Sequence, residues 1–183
     1  RPNCETNWNL KGRLPFRMNR EAFRKVFRSF GTPLSDATEE RIWRKAVHRA
    51  LDVRNRHPEY ATHVCRNRDC RDIESQVHLI KCAFIAPFWG MIMSFIQNVL
   101  QEDLTGIPPE RVLIFTMRTH RHMLSKQACA LIRHAWGHMY RHFVRVDLET
   151  IPFNPRVAYL HTLESDRSAA LRLGVTHRHT TAR

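Results

Sequence analysis

Three cysteines and one histidine fall within a short span of this 183-residue chain, as Cys65-RNRD-Cys70 followed by His78-LIK-Cys82. Thiolate and imidazole are the donors Zn2+ prefers, and Cys3His is a standard structural ligand set. His78 and Cys82 are four apart, so a helix places them on one face about one turn from each other. Cys65 and Cys70 lie in a polar, arginine-rich segment suited to an opposing knuckle. The expected centre is one zinc held by Cys65, Cys70, His78 and Cys82. All four positions are protein ligands and none is left for water, so its role is structural. The other cysteines, Cys4 and Cys129, stand alone. Five cysteines with three in one cluster make a poor disulfide framework and suit a reducing compartment.

The residues around these ligands carry a resemblance. The stretch Cys65-RNRD-Cys70-RDIESQV-His78-LIK-Cys82-AFIAPF-Trp89 resembles the zinc-binding region found downstream of the polymerase in non-LTR retrotransposon reverse transcriptases. That region pairs cysteines, then shows an acidic Glu-Ser step (here Glu74-Ser75), a His-Leu step (His78-Leu79), a further cysteine and a nearby tryptophan (Trp89). The helix-like segment Ile42 to Leu51 and the later segment containing Trp136 extend the resemblance, which covers Ile42 to Phe143. The ligand spacings depart from it, since the family more often has Cys-x2-Cys and His-x4-Cys. The resemblance implies a nucleic-acid-handling accessory module separated from its polymerase.

The chemistry that is missing points the same way. The chain has no Asp-Asp pair, the polymerase signature of that family, and no Gly-rich phosphate loop or Gly-x-Ser-x-Gly elbow. A non-catalytic protein without a small-molecule substrate is expected.

The formal charge is +13, with 30 Lys+Arg against 17 Asp+Glu, and arginine predominates over lysine. A fold does not require such an excess, which favours polyanionic partners. Guanidinium binds phosphate through two parallel donors and stacks on bases, which suits RNA; a GC-rich coding sequence also enriches arginine. The candidate nucleic-acid contacts are Arg13, Arg17, Arg20, Arg24 and Arg28 near the start, Arg66, Arg68 and Arg71 on the knuckle, and Arg141, Arg145 and Arg178 further on.

The elements that must position these residues read as mostly helical, a helical domain with an embedded Cys3His knuckle and extended basic termini. Residues 1–18 form an extended basic arm, 19–150 the zinc-stapled domain, and 151–183 a C-terminal helix and basic tail. Asn19 caps a helix from Arg20 to Phe30. Ser35 or Asp36 caps a second that runs to about Arg56, with Ile42, Trp43, Ala46, Val47, Ala50 and Leu51 on its apolar side. Cys82 to Gln101 carries no charge. It approaches the length of a membrane span, for which about 20 apolar residues suffice. Pro87, Gly90, Gln97 and Asn98 favour instead a helix buried on most sides. Pro109 opens a short helix to about Met117, a long helix covers Met123 to Leu148, and a last one runs from Arg156 to Leu173. His134, His138 and His142 recur along one flank of the long helix. Two histidines at i,i+4 can share a metal, but no third ligand is evident nearby, so they read as packing or surface groups, some of them touching RNA.

Three functions follow as expectations. The first is a zinc-stabilised RNA-binding and scaffold subunit of a large ribonucleoprotein, such as a mitochondrial ribosome, with ribosomal RNA and neighbouring proteins as partners. The opening Arg-Pro, where a precursor has Met, fits an organelle protein trimmed for the mitochondrial matrix, or a cut within a longer chain. The second is an accessory region of a retroelement reverse transcriptase. The third is a structural subunit of a membrane-bound energy-converting complex, with the Cys82–Gln101 segment against protein or lipid.

Overall fold

A computed structural model describes Phe16 and residues 20–29, 36–67, 69–119, 122–149 and 152–172, with backbone only at 147–149 and 172. The chain is mostly helical, and no strand occurs among the described residues. The helices are α1 (Arg20–Arg28), α2 (Ala37–Val47), α3 (His78–Lys81), α4 (Ala86–Asn98), α5 (Pro109–Phe115), α6 (Lys126–Glu149) and α7 (Pro155–Arg172). The expected arm lies outside the described residues except for Phe16, whose ring meets Phe115 edge-on and carries the Arg111 guanidinium over its face. The expected tail after Arg172 also lies outside them.

Helix α6 is the central element, with α2 and α7 packed along it and α4 against both α6 and α7. Its apolar stripe (Ala128, Leu131, Ile132, Ala135, Met139, Phe143) is buried as the helical spacing requires. Gly137 interrupts a good helix former's position for a steric reason. A Cβ there would come within 2.5 Å of Glu39 Cγ, so glycine permits the close approach of α2. The C-terminal helix is not a separate unit: Phe153 and Ala158 belong to the same core as α2 and α6.

Three tryptophans staple this core. Each buries a large ring and must place one N–H on a partner. Trp43 donates to the Ile114 carbonyl at 3.1 Å, Trp89 to Leu79 at 2.9 Å and Trp136 to Leu113 at 2.6 Å. These bonds fix α2 and α6 to α5, and α4 to α3.

Helix α2 starts as expected, on a capping box. The Asp36 carboxylate accepts from the Thr38 and Glu39 amides, and Glu39 reaches back to the Asp36 amide. It stops well short of Arg56. Arg49 adopts a left-handed backbone with φ 53°. The Ala50 amide then bonds the Lys45 carbonyl and the Arg49 amide that of Ala46, a Schellman closure. Glycine usually takes that position, so a sequence with arginine there gives no stop signal. Leu51 and Val53 remain buried beyond it, which is why apolar spacing continued past the true end.

The apolar segment after the knuckle also differs from expectation. Its helix begins at Ala86, after a turn at 82–85, and only one face is buried, through Phe88, Trp89, Ile92 and Ile96. Gly90, Ser94, Gln97 and Asn98 face outward. Among the described residues no helix is long and apolar enough to cross a membrane.

Candidate metal centre

The knuckle is a short hairpin. Val64 and Ile73 form an antiparallel bridge, the Cys65 amide bonds the Asp72 carbonyl at 2.9 Å, and the Glu74 amide bonds that of His63 at 2.8 Å. The tip turns through the Cys70 amide on the Asn67 carbonyl. This brings Cys65 and Cys70 to one side of the hairpin base. The opposite side is α3, whose first residue is His78 and whose C-cap is Cys82, so the His-x3-Cys spacing works as the helical period requires. The His78 amide is held by the Ser75 hydroxyl at 3.1 Å.

The four ligand atoms of Cys65, Cys70, His78 and Cys82 all lie within 4.8 Å of one another. Cys65 and Cys82 sulfurs are 3.9 Å apart, and Cys70 Sγ is 3.4 Å from His78 Nε2. Zinc–sulfur bonds of about 2.3 Å and zinc–nitrogen bonds of about 2.0–2.1 Å give tetrahedral edges of about 3.8 Å between sulfurs and about 3.5 Å between sulfur and nitrogen. The cluster therefore has the size and donor set of a tetrahedral Cys3His centre, and it can hold a metal ion.

The surroundings prepare the sulfurs for a cation. Backbone N–H groups two residues on point at each one, from Asn67 to Cys65, Asp72 to Cys70 and Phe84 to Cys82. The Asn67 side-chain amide lies 3.8 Å from both the Cys65 and Cys82 sulfurs. Without a metal the thiols share their protons unequally. Hydrogen bonding from Cys65, helped by His78, lowers the Cys82 thiol. The same contact and then burial push Cys65 up, and burial raises Cys70. A metal ion replaces these protons, so uptake releases them. His78 keeps Nε2 for the centre, while its Nδ1 faces the Asp72 carboxylate at 3.8 Å.

One residue central to this site has no signal in the ligand pattern. Glu74 is wholly buried. Its carboxylate accepts from the Arg54 amide at 3.0 Å, the Arg66 amide at 3.0 Å and Arg66 Nε at 3.2 Å. It ties both arms of the hairpin to the segment that follows α2. Gln76 adds a second tie, donating to the Ala46 carbonyl. Apart from its place in the resemblance, Glu74 reads in the sequence as one more acid in a polar run.

That carboxylate also corrects one expected nucleic-acid contact. Arg66 is not a surface cation: it is 7% exposed, paired to Glu74, with its guanidinium 5.4 Å from the centre of the Phe143 ring. A charge beside a buried carboxylate is held inside by the pairing that sequence alone cannot see. Arg20, Arg24 and Arg28 are exposed on α1, Arg71 is exposed beside the knuckle and Arg145 on α6. Arg141 is half-buried, with Nη2 3.3 Å from Glu39 Oε1. Arg13, Arg17, Arg68 and Arg178 lie outside the described residues.

The histidine flank of α6 is partly interior. His134 is buried with Nδ1 2.5 Å from Glu39 Oε2, and His138 Nε2 is 3.4 Å from Glu39 Oε1. Burial alone would raise the Glu39 carboxyl. The hydrogen bonds from His134 and His138 outweigh it and hold that carboxyl well below the usual range.

No known protein family, no curated protein and no solved structure matches this chain.

Proposed function

We propose that this chain is a non-catalytic, zinc-stabilised nucleic-acid-binding scaffold, a subunit of a large ribonucleoprotein of the mitochondrial-ribosome type. The observation that carries the reading is a set of exposed cations on two helices. Arg20, Arg24 and Arg28 repeat every four residues along the exposed side of α1. Exposed Arg41, Arg44 and Lys45 lie on α2. Phe27 of α1 stacks on His48, the C-cap of α2, with ring centres 5.1 Å apart. Phosphate neutralisation by such cations needs no reacting group and little sequence preference. The zinc supplies rigidity, since the hairpin it closes is clamped through Glu74 and Gln76 to the segment leading out of α2.

A second reading, an accessory region of a retroelement reverse transcriptase, rests on a different observation. The residues that carry the resemblance act as one physical unit. Ser75 holds the His78 amide, and Trp89 donates to the carbonyl of Leu79. Both readings assign the knuckle the same work, and they differ in whether a polymerase accompanies it.

RNA binding across a salt series tests the proposal. Unrelated single-stranded RNAs should bind alike, with affinity falling steeply as salt rises. Replacing Arg20, Arg24 and Arg28 together by Gln should flatten the log–log salt slope by about 2, since each phosphate neutralised adds about 0.7 to it. No RNA binding, or an unchanged slope in the triple variant, would overturn the reading and leave a scaffold whose charge meets acidic protein.

A further inference from the structure

The i,i+4 histidines of α6 acquire from α7 the partner that the linear pattern lacks. His161 faces both His138 and His142, with ring centres 5.9 and 5.3 Å apart. Its Nδ1 stands 3.1 Å from His142 Nε2. Two imidazoles on one tetrahedral ion, at metal–nitrogen distances of about 2.0–2.1 Å, have nitrogens about 3.3 Å apart and ring centres about 5 Å apart. The His142–His161 pair meets both spacings, and His138 stands farther off.

We propose that His138, His142 and His161 form a second metal site, distinct from the thiolate centre, for a borderline divalent ion such as Zn2+. Neutral imidazole is a preferred ligand of zinc and its first-row neighbours. Burial, followed by the charges of His161 and the nearby side chains, lowers the pKa of His142 and favours its neutral, ligating form. His142 and His161 supply the two-point core. His138 is the third ligand: its Nε2 contacts the Ser165 hydroxyl at 2.7 Å, Arg141 Nη2 at 3.3 Å and Glu39 Oε1 at 3.4 Å, and ligation requires the ring to leave these partners.

The setting supports an ion over a simple ring-to-ring hydrogen bond. A cavity of ≈ 370 Å³ opens beside His138 and His161, lined also by Asp36, Glu39 and Glu164, while His142 stands outside its lining. Of these carboxylates Glu39 pairs with Arg141 at 3.3 Å, and the charges of Arg141 and Arg145 act on His142. His134 lines the same cavity, 1% exposed, and its Nε2 has no hydrogen-bond partner. A polar wall of this kind suits a hydrated ion, and the open fourth position is available to water.

The test uses the full chain with its thiolate centre already filled by one equivalent of Zn2+. Equilibrium dialysis against further Zn2+ should leave two ions per chain. Co2+ added to the one-zinc protein should show ligand-field bands without the sulfur-to-cobalt charge transfer of a thiolate site. His161→Gln and His142→Gln should each weaken the second ion by at least about tenfold and leave the first in place. His161 is exposed, so its replacement leaves the core intact, and far-UV circular dichroism checks that. A wild-type chain that retains only one zinc overturns the site. So does a folded His161→Gln variant that binds the second ion as tightly as wild type.

Discussion

Between α2 and α6 the buried side chains include Trp43, Ala46, Ala135, Trp136 and Met139, with Glu39 and His134 paired among them; at 63–82 they include Cys65, Cys70, Arg66, Asn67, Glu74 and Gln76. The helical body buries mainly apolar surface, which stabilises at about 25 cal/mol per Å², and its buried Glu39 is paired with His134. The hairpin buries polar and ionisable groups, each of which costs free energy unless its bonds are complete. It also leaves Val64 and Ile73 exposed. Two kinds of stability therefore coexist in one chain. The body follows mainly from collapse, while the hairpin rests on its polar contacts, the Glu74–Arg66 ion pair above all, and on what its four candidate ligands can hold.

Metal removal is the strongest way to break this comparison. Structural zinc sites contribute on the order of 10 kcal/mol of apparent binding energy in small modules. Chelation, or Cys82→Ser, should expose the hairpin amides to fast hydrogen exchange. The α2–α6–α7 packing should stay protected, with most far-UV helicity retained. Because Trp89 bonds Leu79, α4 should loosen next. A single cooperative loss of all protection would show that the two regions are one folding unit.

Glu74→Gln sharpens the comparison without touching a ligand. It should remove the buried carboxylate that pairs with Arg66, costing about 3–5 kcal/mol. Zinc affinity should fall about 10–100-fold, since the hairpin that presents Cys65 and Cys70 loses its clamp. Denaturant unfolding and competitive chelation measure the two effects. A stable variant with unchanged zinc affinity would remove Glu74 from the set of groups that support the site.

The smallest expected effect lies in the body. The folded Glu39 carboxyl is held below its ordinary value of 4.5, so its contribution is complete above that pH and is lost as pH falls below it. Acid titration of stability should therefore slope downward below about pH 4.5. Glu39→Gln should flatten that slope and cost about 1–3 kcal/mol at neutral pH. An acid limb identical in wild type and variant would show that the His134–Glu39 contact is not energetically coupled to folding.

The legible parts of this fold share a local cause. Ligand types and spacing pointed to Cys65, Cys70, His78 and Cys82, because a metal site of short loop span is nearly a local object. The stripes of α6 and α2 were readable from the helical period, and the cap was readable as Ser35 or Asp36, of which the structure selects Asp36. The end of α2 was not, because Arg49 occupies a left-handed position that glycine usually marks. Arg66 and Arg71, two arginines in the same run, had opposite fates, buried and exposed. Only the position of Glu74 distinguishes them.

By itself the sequence determined a helical protein with one Cys3His knuckle and a large positive charge, since composition, period and ligand spacing act over a few residues at a time. The tertiary structure alone decided which charges are interior, that α4 buries one face only, and that His161 comes to lie against His138 and His142. Those outcomes depend on groups far apart in the chain, such as Glu39 with His134 and His142 with His161. Their partners are chosen by packing, and no short-range pattern encodes which distant side chain will complete a buried charge.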